Sequence, residues 1–245
     1  MEDKLMPIRH GRNAAIYVNG SDISGDLNSI NPKSEQDLAD VTTFGKKGYT
    51  YYPGLAKDSG TIEAIYDDTE KAVFEGLIQA ATGYSMMIAF GQSVGDQSLV
   101  ANEISLISNG VKSVVSDVNR ASISFDVDSR PFESCKLLSA GKQTVAAVST
   151  GDGTTLDNVT STPTTGGAGY IQILGMTDGT LTVTIETSST GAFAGEEATT
   201  ATFAVASTTG TERVAITGTI ERYARPSWVN TGTTAYFALA LKREV

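Results

Sequence analysis

Acidic side chains stand close together at three places, Asp67-Asp68, Asp126 with Asp128, and Glu196-Glu197. Two carboxyls at the right separation can serve as acid and base in cleaving a glycosidic bond. The same pairs also suit a solvated turn or strand end, and none begins the D-x-[DN]-x-[DN]-G pattern of a calcium loop. His10 is the one histidine and Cys135 the one cysteine. A Ser-His-Asp mechanism would rest on a single imidazole in a polar N-terminal segment. One Cys with one His cannot assemble the usual zinc sets. Gly151-Asp152-Gly153 and Asp178-Gly179 are turn chemistry, because neither precedes a helix whose N-terminus could cradle phosphate. The residues point away from an enzyme and call for no metal and no cofactor.

Aromatic side chains offer a different chemistry, that of contact. The stretch from Asp40 to Gly60, DVTTFGKKGYTYYPGLAKDSG, sets Phe44, Tyr49, Tyr51 and Tyr52 among turn-forming residues. It reads as a long aromatic loop. A second group, Tyr223 and Trp228 within RYARPSW, could form a surface aromatic patch that stacks on sugar, or could belong to a β-sandwich core.

Charge and composition limit the partners. Acidic residues outnumber basic ones by 28 to 18, which argues against duplex DNA gripped by a basic face. The excess is concentrated in residues 1–135, with 19 acids against 11 bases, while residues 136–245 have 9 against 7. The opening MEDKLM lacks the basic and apolar regions of a secretory signal. The apolar runs have strand length, so a soluble protein without a membrane span is expected. A lone cysteine fits folding in a reducing cytoplasm.

Strands must position these groups. Ala14–Val18 followed by Asn19-Gly20 predicts an opening hairpin, because both turn residues accept positive φ. Leu27–Ile30 and Leu38–Thr43 read as strands separated by a break at Asn31-Pro32-Lys33. In Thr61–Asp67, Ile62 and Ala64 alternate with Thr61 and Glu63, which predicts a half-buried strand. A polar cap at Asp68-Thr69-Glu70, with Val73, Phe74, Leu77, Ile78 and Ala81 at helical spacing, predicts one helix ending at Gly83. Ser85–Phe90, Ser98–Ser108 and Ser113–Val127 read as strands, the last two joined by a turn at Asn109-Gly110. Beyond Lys136 the composition shifts to Thr, Ser, Gly and Ala, and short strands with turn signals predict a second all-β domain. Gly151-Asp152-Gly153 reads as one of its turns. The expected organisation is a β-sandwich with one helix over residues 1–139 and a sandwich or jelly-roll-like domain over 140–245.

The order of these pieces resembles the major tail tube protein of long-tailed bacteriophages. The resemblance is carried by Ile16–Ser24 (IYVNGSDIS), by Ala39–Gly45 (ADVTTFG) with Tyr52-Pro53-Gly54-Leu55, and by Gly60–Asp68. Gly218–Arg225 (GTIERYAR) and Ala235–Arg243 are similar to the C-terminal β domain often fused to such proteins. The resemblance implies a structural virion protein in hexameric rings that stack into a tube for DNA passage, with the C-terminal domain on the exterior. It implies Phe44, Tyr49, Tyr51 and Tyr52 as contacts between rings, and an acidic lumen with Glu63, Asp67, Asp117 and Asp126 as candidates. The partners would be copies of the chain itself and other tail proteins (tape measure, tail terminator, distal tail protein). DNA would pass without specific binding, and synthesis would take place in the host cytoplasm. A secretion-system tube subunit and a carbohydrate-binding or adhesion protein are the alternatives.

Overall fold

The computed structural model describes residues 13–25, 27–43, 47–65, 82–112, 120–162 and 164–244. Among the described residues the chain is almost entirely β. Its strands are β1 (Ala15–Val18), β2 (Ser21–Asp22), β3 (Leu27–Asp40), β4 (Tyr51–Ile65), β5 (Thr82–Ala89), β6 (Gln97–Lys112), β7 (Arg120–Asp128), β8 (Glu133–Leu137) and β9 (Gln143–Ala146). They continue as β10 (Ser149–Asp152), β11 (Leu156–Asp157), β12 (Gly167–Met176), β13 (Leu181–Ser188), β14 (Ala198–Thr202), β15 (Gly210–Ile216), β16 (Tyr223–Asn230) and β17 (Thr234–Arg243). No helix among the described residues is long and apolar enough to cross a membrane. The helix expected at 68–83 falls mainly on residues 66–81, outside the described residues, and Thr82 and Gly83 already belong to β5.

Two compact units result, one from Met1–Ser24, Ser85–Val100 and Glu133–Val245, the other from Gly25–Tyr84 and Ala101–Phe132. This grouping differs from a boundary between residues 139 and 140. Composition changes there, but composition records loop and surface content and does not determine which strands pair.

In the first unit, one sheet runs β15-β12-β17-β8-β6-β5-β1-β2, with β9 also on β17, and a second runs β10-β16-β13-β14, with β11 on β16. The sheets share an apolar cluster that includes Ile171, Ile173, Val183, Ile185, Phe237, Leu239 and Leu241. Trp228 packs edge-on against Phe237, with ring centroids 5.9 Å apart. The opposite face of β12 and β17 carries Ala168, Tyr170, Ala238 and Ala240. They are buried with Tyr17, Met87, Ala89, Val100, Cys135 and Leu137 in a second cluster. Covered on both faces, β12 and β17 read in sequence as nearly unbroken apolar runs. Each fully buried Phe, Leu or Ile contributes about 1.5–3 kcal/mol relative to exposure.

The sheet curls, so β1 and β2 return to β12. The turn between them is the expected one, with Asn19 at φ 47° and Gly20 at φ 78°. Gln172 of β12 pins it: buried among apolar neighbours, its Oε1 accepts from Gly20 N at 2.8 Å, and its Nε2 donates to the Ser85 Oγ at 3.2 Å. Beside it, Glu133 is buried between Lys242 Nζ at 2.8 Å and Arg213 Nε at 3.5 Å, and Arg213 also donates to the Tyr170 hydroxyl. Gly151 and Asp152, expected in a turn, instead pair with Trp228 and Ser227 as part of β10.

The second unit is an antiparallel ladder β3-β4-β7-β6. Alternation sorts its faces as expected, with Ile62, Ala64, Ile123, Phe125 and Ile104 buried and Thr61, Glu63 and Ser122 exposed. Three expectations are corrected here. β3 runs straight through Asn31-Pro32-Lys33, with Pro32 opposite Gly60. Among the described residues β3 pairs only with β4, and an edge strand tolerates a residue without an N–H. Asn109-Gly110 is not a turn, because both residues lie in β6 opposite Ile123 and Ser122. A bulge at Leu106/Ser108 carries the ladder past that dipeptide. Finally, Tyr51 and Tyr52 lie in β4 and not in a loop.

The returning turn supplies a stability test. A Cβ on Gly20 would lie 2.7 Å from both Gly210 N and the Ile173 carbonyl oxygen, at a φ that side chains disfavour. Gly20→Ala should therefore cost at least about 2 kcal/mol in urea unfolding, whereas Gly25→Ala, with nothing within 4 Å, should be near neutral.

Candidate functional site

The ladder of the second unit extends beyond its own core. From Lys33 to Thr43, and from Lys47 to Lys57, every residue is exposed, so the outer part of the β3–β4 hairpin is a two-stranded ribbon open to solvent on both faces. Register explains what it presents. The row Ile30, Pro32, Ser34, Gln36, Leu38 of β3 lies opposite Ile62, Gly60, Asp58, Ala56 and Pro53 of β4, which is the buried face of the ladder nearer its base. A bulge between Gln36 and Leu38 absorbs the extra residue at Gly54-Leu55 and keeps the rows aligned. Leu38 and Tyr51 therefore continue a core face past the end of the core, with Tyr49 stacked on Tyr51 at 6.2 Å. Tyr52, opposite Ala39, faces the other way.

The exposures are large: Tyr49 78%, Tyr51 53%, Tyr52 69%, Leu38 61%, Leu55 84% and Val41 46%. Leu38, Val41 and Leu55 were not singled out in the sequence. Leu38 was legible in principle as the next member of the Ile30 row, but reading Pro32 as a break hid the continuity. Phe44 lies outside the described residues.

Polar bonds order the ribbon without covering it. The Thr42 hydroxyl and backbone N–H both donate to Asp40, which holds that carboxyl below the usual carboxylate range. Thr50 N donates to the Thr42 Oγ1 at 2.8 Å, and Val41 N to the Thr50 carbonyl at 2.9 Å. Nearer the base, Lys33 pairs with Glu35 and holds its carboxyl down.

Of the acidic candidates, Glu63 and Asp126 share the polar face of the β4–β7 ladder. Glu63 stands opposite Ser122 and Asp126 opposite Ser59, so they are four residues apart along the strands, roughly 13 Å. Glu63 is exposed and accepts from the Ser29 hydroxyl at 3.3 Å, while Asp126 is half-buried. Asp67 and Asp117 lie outside the described residues. Tyr223 and Trp228 are both on β16, but an odd spacing puts them on opposite faces. Trp228 joins the sandwich core, and Tyr223 lies outside it, with the Arg222 guanidinium 4.8 Å from its ring centre. They do not form one patch.

Among the described residues no cluster of His, Cys, Asp or Glu could hold a metal ion. Burial pushes the Cys135 thiol well above its ordinary range, with Glu133 adding to the shift, so it is no nucleophile at neutral pH. The ribbon presents exposed aromatic and aliphatic side chains.

No family model matches the chain, and no curated protein matches it. Among solved structures it is similar to a protein of the sheath–tube complex of an extracellular contractile injection system in its extended state. That match has 12% identity, covers 54% of this chain and 93% of the other, and has a TM-score of 0.43. It is also similar to the SPP1 tail tube, with 16% identity, 51% and 78% coverage and a TM-score of 0.41. A third similarity, to the SPP1 Dit protein of a phage hub adsorption apparatus, has 9% identity, 95% and 99% coverage and a TM-score of 0.39.

Because the ribbon tyrosines are exposed in the subunit, replacing Tyr49, Tyr51 and Tyr52 together by Ala should leave subunit stability within about 0.5 kcal/mol of the parent. Urea unfolding measured at a concentration where the protein is monomeric checks this.

Proposed function

We propose that the chain is a structural virion protein that assembles as stacked hexameric rings into a tail tube, the channel for DNA passage. The observation that carries this reading is the ribbon, a built and ordered pair of strands whose apolar side chains have no cover within the described residues. Six large side chains with apolar surface are exposed on this one hairpin, with Leu38, Tyr51 and the stacked Tyr49 together on one face and Tyr52 on the other, and exposed apolar surface of this extent marks a protein contact. Tyrosine suits such a contact, since it buries much area with few torsions to fix. The order of motifs in the sequence, which resembles that of tail tube proteins, supplies the type of assembly.

On this reading the ribbon docks on the neighbouring ring, with Phe44 as a further contact residue. The Ser/Thr-rich face carrying Glu63 and Asp126 lines the channel, together with Asp67 and Asp117. An acidic wall repels the phosphates of passing DNA and keeps it from adhering. Other tail proteins would close the two ends of the tube. No catalytic step is involved.

Negative-stain electron microscopy of concentrated protein tests the reading. Rings or tubes are expected from the parent chain. The variant with Tyr49, Tyr51 and Tyr52 changed to Ala should stay a folded, unassembled subunit, because interface aromatics commonly contribute about 2 kcal/mol or more each. Its critical concentration for assembly should rise at least about tenfold. A parent protein that stays dispersed at every concentration, or a folded triple variant that assembles normally, would contradict the proposal.

A further inference from the structure

At the margin of the first unit's sandwich, where β17 ends, a cavity of about 290 Å3 lies against Leu241. Its polar wall comprises Gln97, Ser134, Lys136, Asn158, Thr160 and Arg243. Pairing explains how they meet. Lys136 of β8 stands opposite Gln97 of β6 on one side and Leu241 of β17 on the other. The Gln97 amide donates to the Ser134 hydroxyl. Asn158 and Thr160 follow β11, and their backbone carbonyls accept from Arg243, Asn158 at 3.5 Å.

The fold's own hydrogen bonds leave two polar groups here unsatisfied. Asn158 is only 6% exposed, yet neither its Oδ1 nor its Nδ2 has a partner among the described residues. Arg243 is held by carbonyls, forms no ion pair among the described residues, and keeps its Nε buried without a partner. Buried polar groups in native structures nearly always have partners, so a stranded amide beside a half-buried guanidinium needs an explanation. Burial itself disfavours the charge on Arg243.

The charge pattern narrows the chemistry. Among the described residues the wall has two cations and no acid, in a chain whose net charge is −10. The acid beside it, Asp157, is already engaged: Arg222 binds it through two bonds at 2.8 and 2.7 Å, and this pair, with the Val159 N–H and the charge of Lys136, brings its carboxyl down to about 2. A guanidinium and an ammonium on one wall suit an oxyanion. The neighbouring amide and hydroxyls, which both donate and accept, suit ligand hydroxyl groups. The volume is at the small end for ligand sites, the size of a single sugar ring rather than a cofactor.

We propose that this cavity binds a small hydroxylated carboxylate, the chemistry of a uronic acid. The carboxylate is taken by Arg243 and Lys136, and the ring hydroxyls by Asn158 and Thr160. The inference stands apart from the tube reading, since it uses neither the ribbon nor the acidic face.

Calorimetric titration of the full chain with sodium glucuronate tests it, with glucose and acetate as comparators at equal ionic strength. Saturable glucuronate binding is expected, with glucose and acetate each at least about tenfold weaker, because each offers half of the recognised chemistry. Lys136→Gln should weaken glucuronate about tenfold. Arg243→Gln should do the same, but it also removes bonds to two carbonyls. The exposed Lys136 therefore gives the variant whose fold, checked by circular dichroism, is retained. Absence of saturable glucuronate binding by the folded parent chain would overturn the proposal. So would binding of acetate or glucose as tight as glucuronate, or unchanged affinity in Lys136→Gln.

Discussion

Two strands, β12 and β17, must each satisfy two apolar layers at once, and the first unit is organised around that requirement. Large side chains, Ile171, Ile173, Phe237 and Leu239, fill the sandwich side, while Ala168, Ala238 and Ala240 on the reverse side leave room for β1 and β5 to approach. The division of sizes is a matter of close packing, since small residues on one face let the layer against it come nearer than large ones would. Gln172 is the exception within the apolar run, and its amide satisfies the backbone of the returning β1–β2 turn where water cannot. Gly20 completes the contact, because a side chain there would strike main-chain atoms on two strands.

The second unit shows the opposite balance. Near its base the ladder buries one face, and Gly60 is small enough to let the Phe125 ring lie against the strand, where a Cβ would come within 2.6 Å of it. Farther out the same hydrogen-bonded pairing continues with every described residue exposed, and the ladder and the Asp40–Thr42–Thr50 bonds are what order the ribbon among the described residues. An isolated two-stranded ribbon is marginal in water. Its apolar rows cost solvation in the free subunit, and an occupant that removes them from water gains both their area and the ordering of the strands.

What the sequence disclosed depended on how local the signal was. Asn19-Gly20 was readable because two adjacent residues and their φ preferences define that turn. Asn109-Gly110 has the same letters, but a bulge and a long partner strand overrode them. Pro32 misled for a related reason: proline breaks a central strand, and only the sheet order reveals that β3 is an edge. Tyr49, Tyr51 and Tyr52 were legible as side chains left uncovered in the subunit from their setting among turn formers, though not the division of Tyr51 and Tyr52 between two faces, which register fixes. The unpartnered Asn158 could not be foreseen, since its lack of partners depends on strands far apart in the chain.

Cys135 gives the first unit a built-in clock. It is the single thiol of the chain, 2% exposed and packed in the cluster that joins β1, β5, β12 and β17, so an alkylating reagent meets no other sulfhydryl and cannot reach this one while the layers are closed. Modification then proceeds through opening of that cluster, and its rate relative to a free thiol reports the opening equilibrium. The rate of labelling thus reads the opening of the two-layered sheet directly.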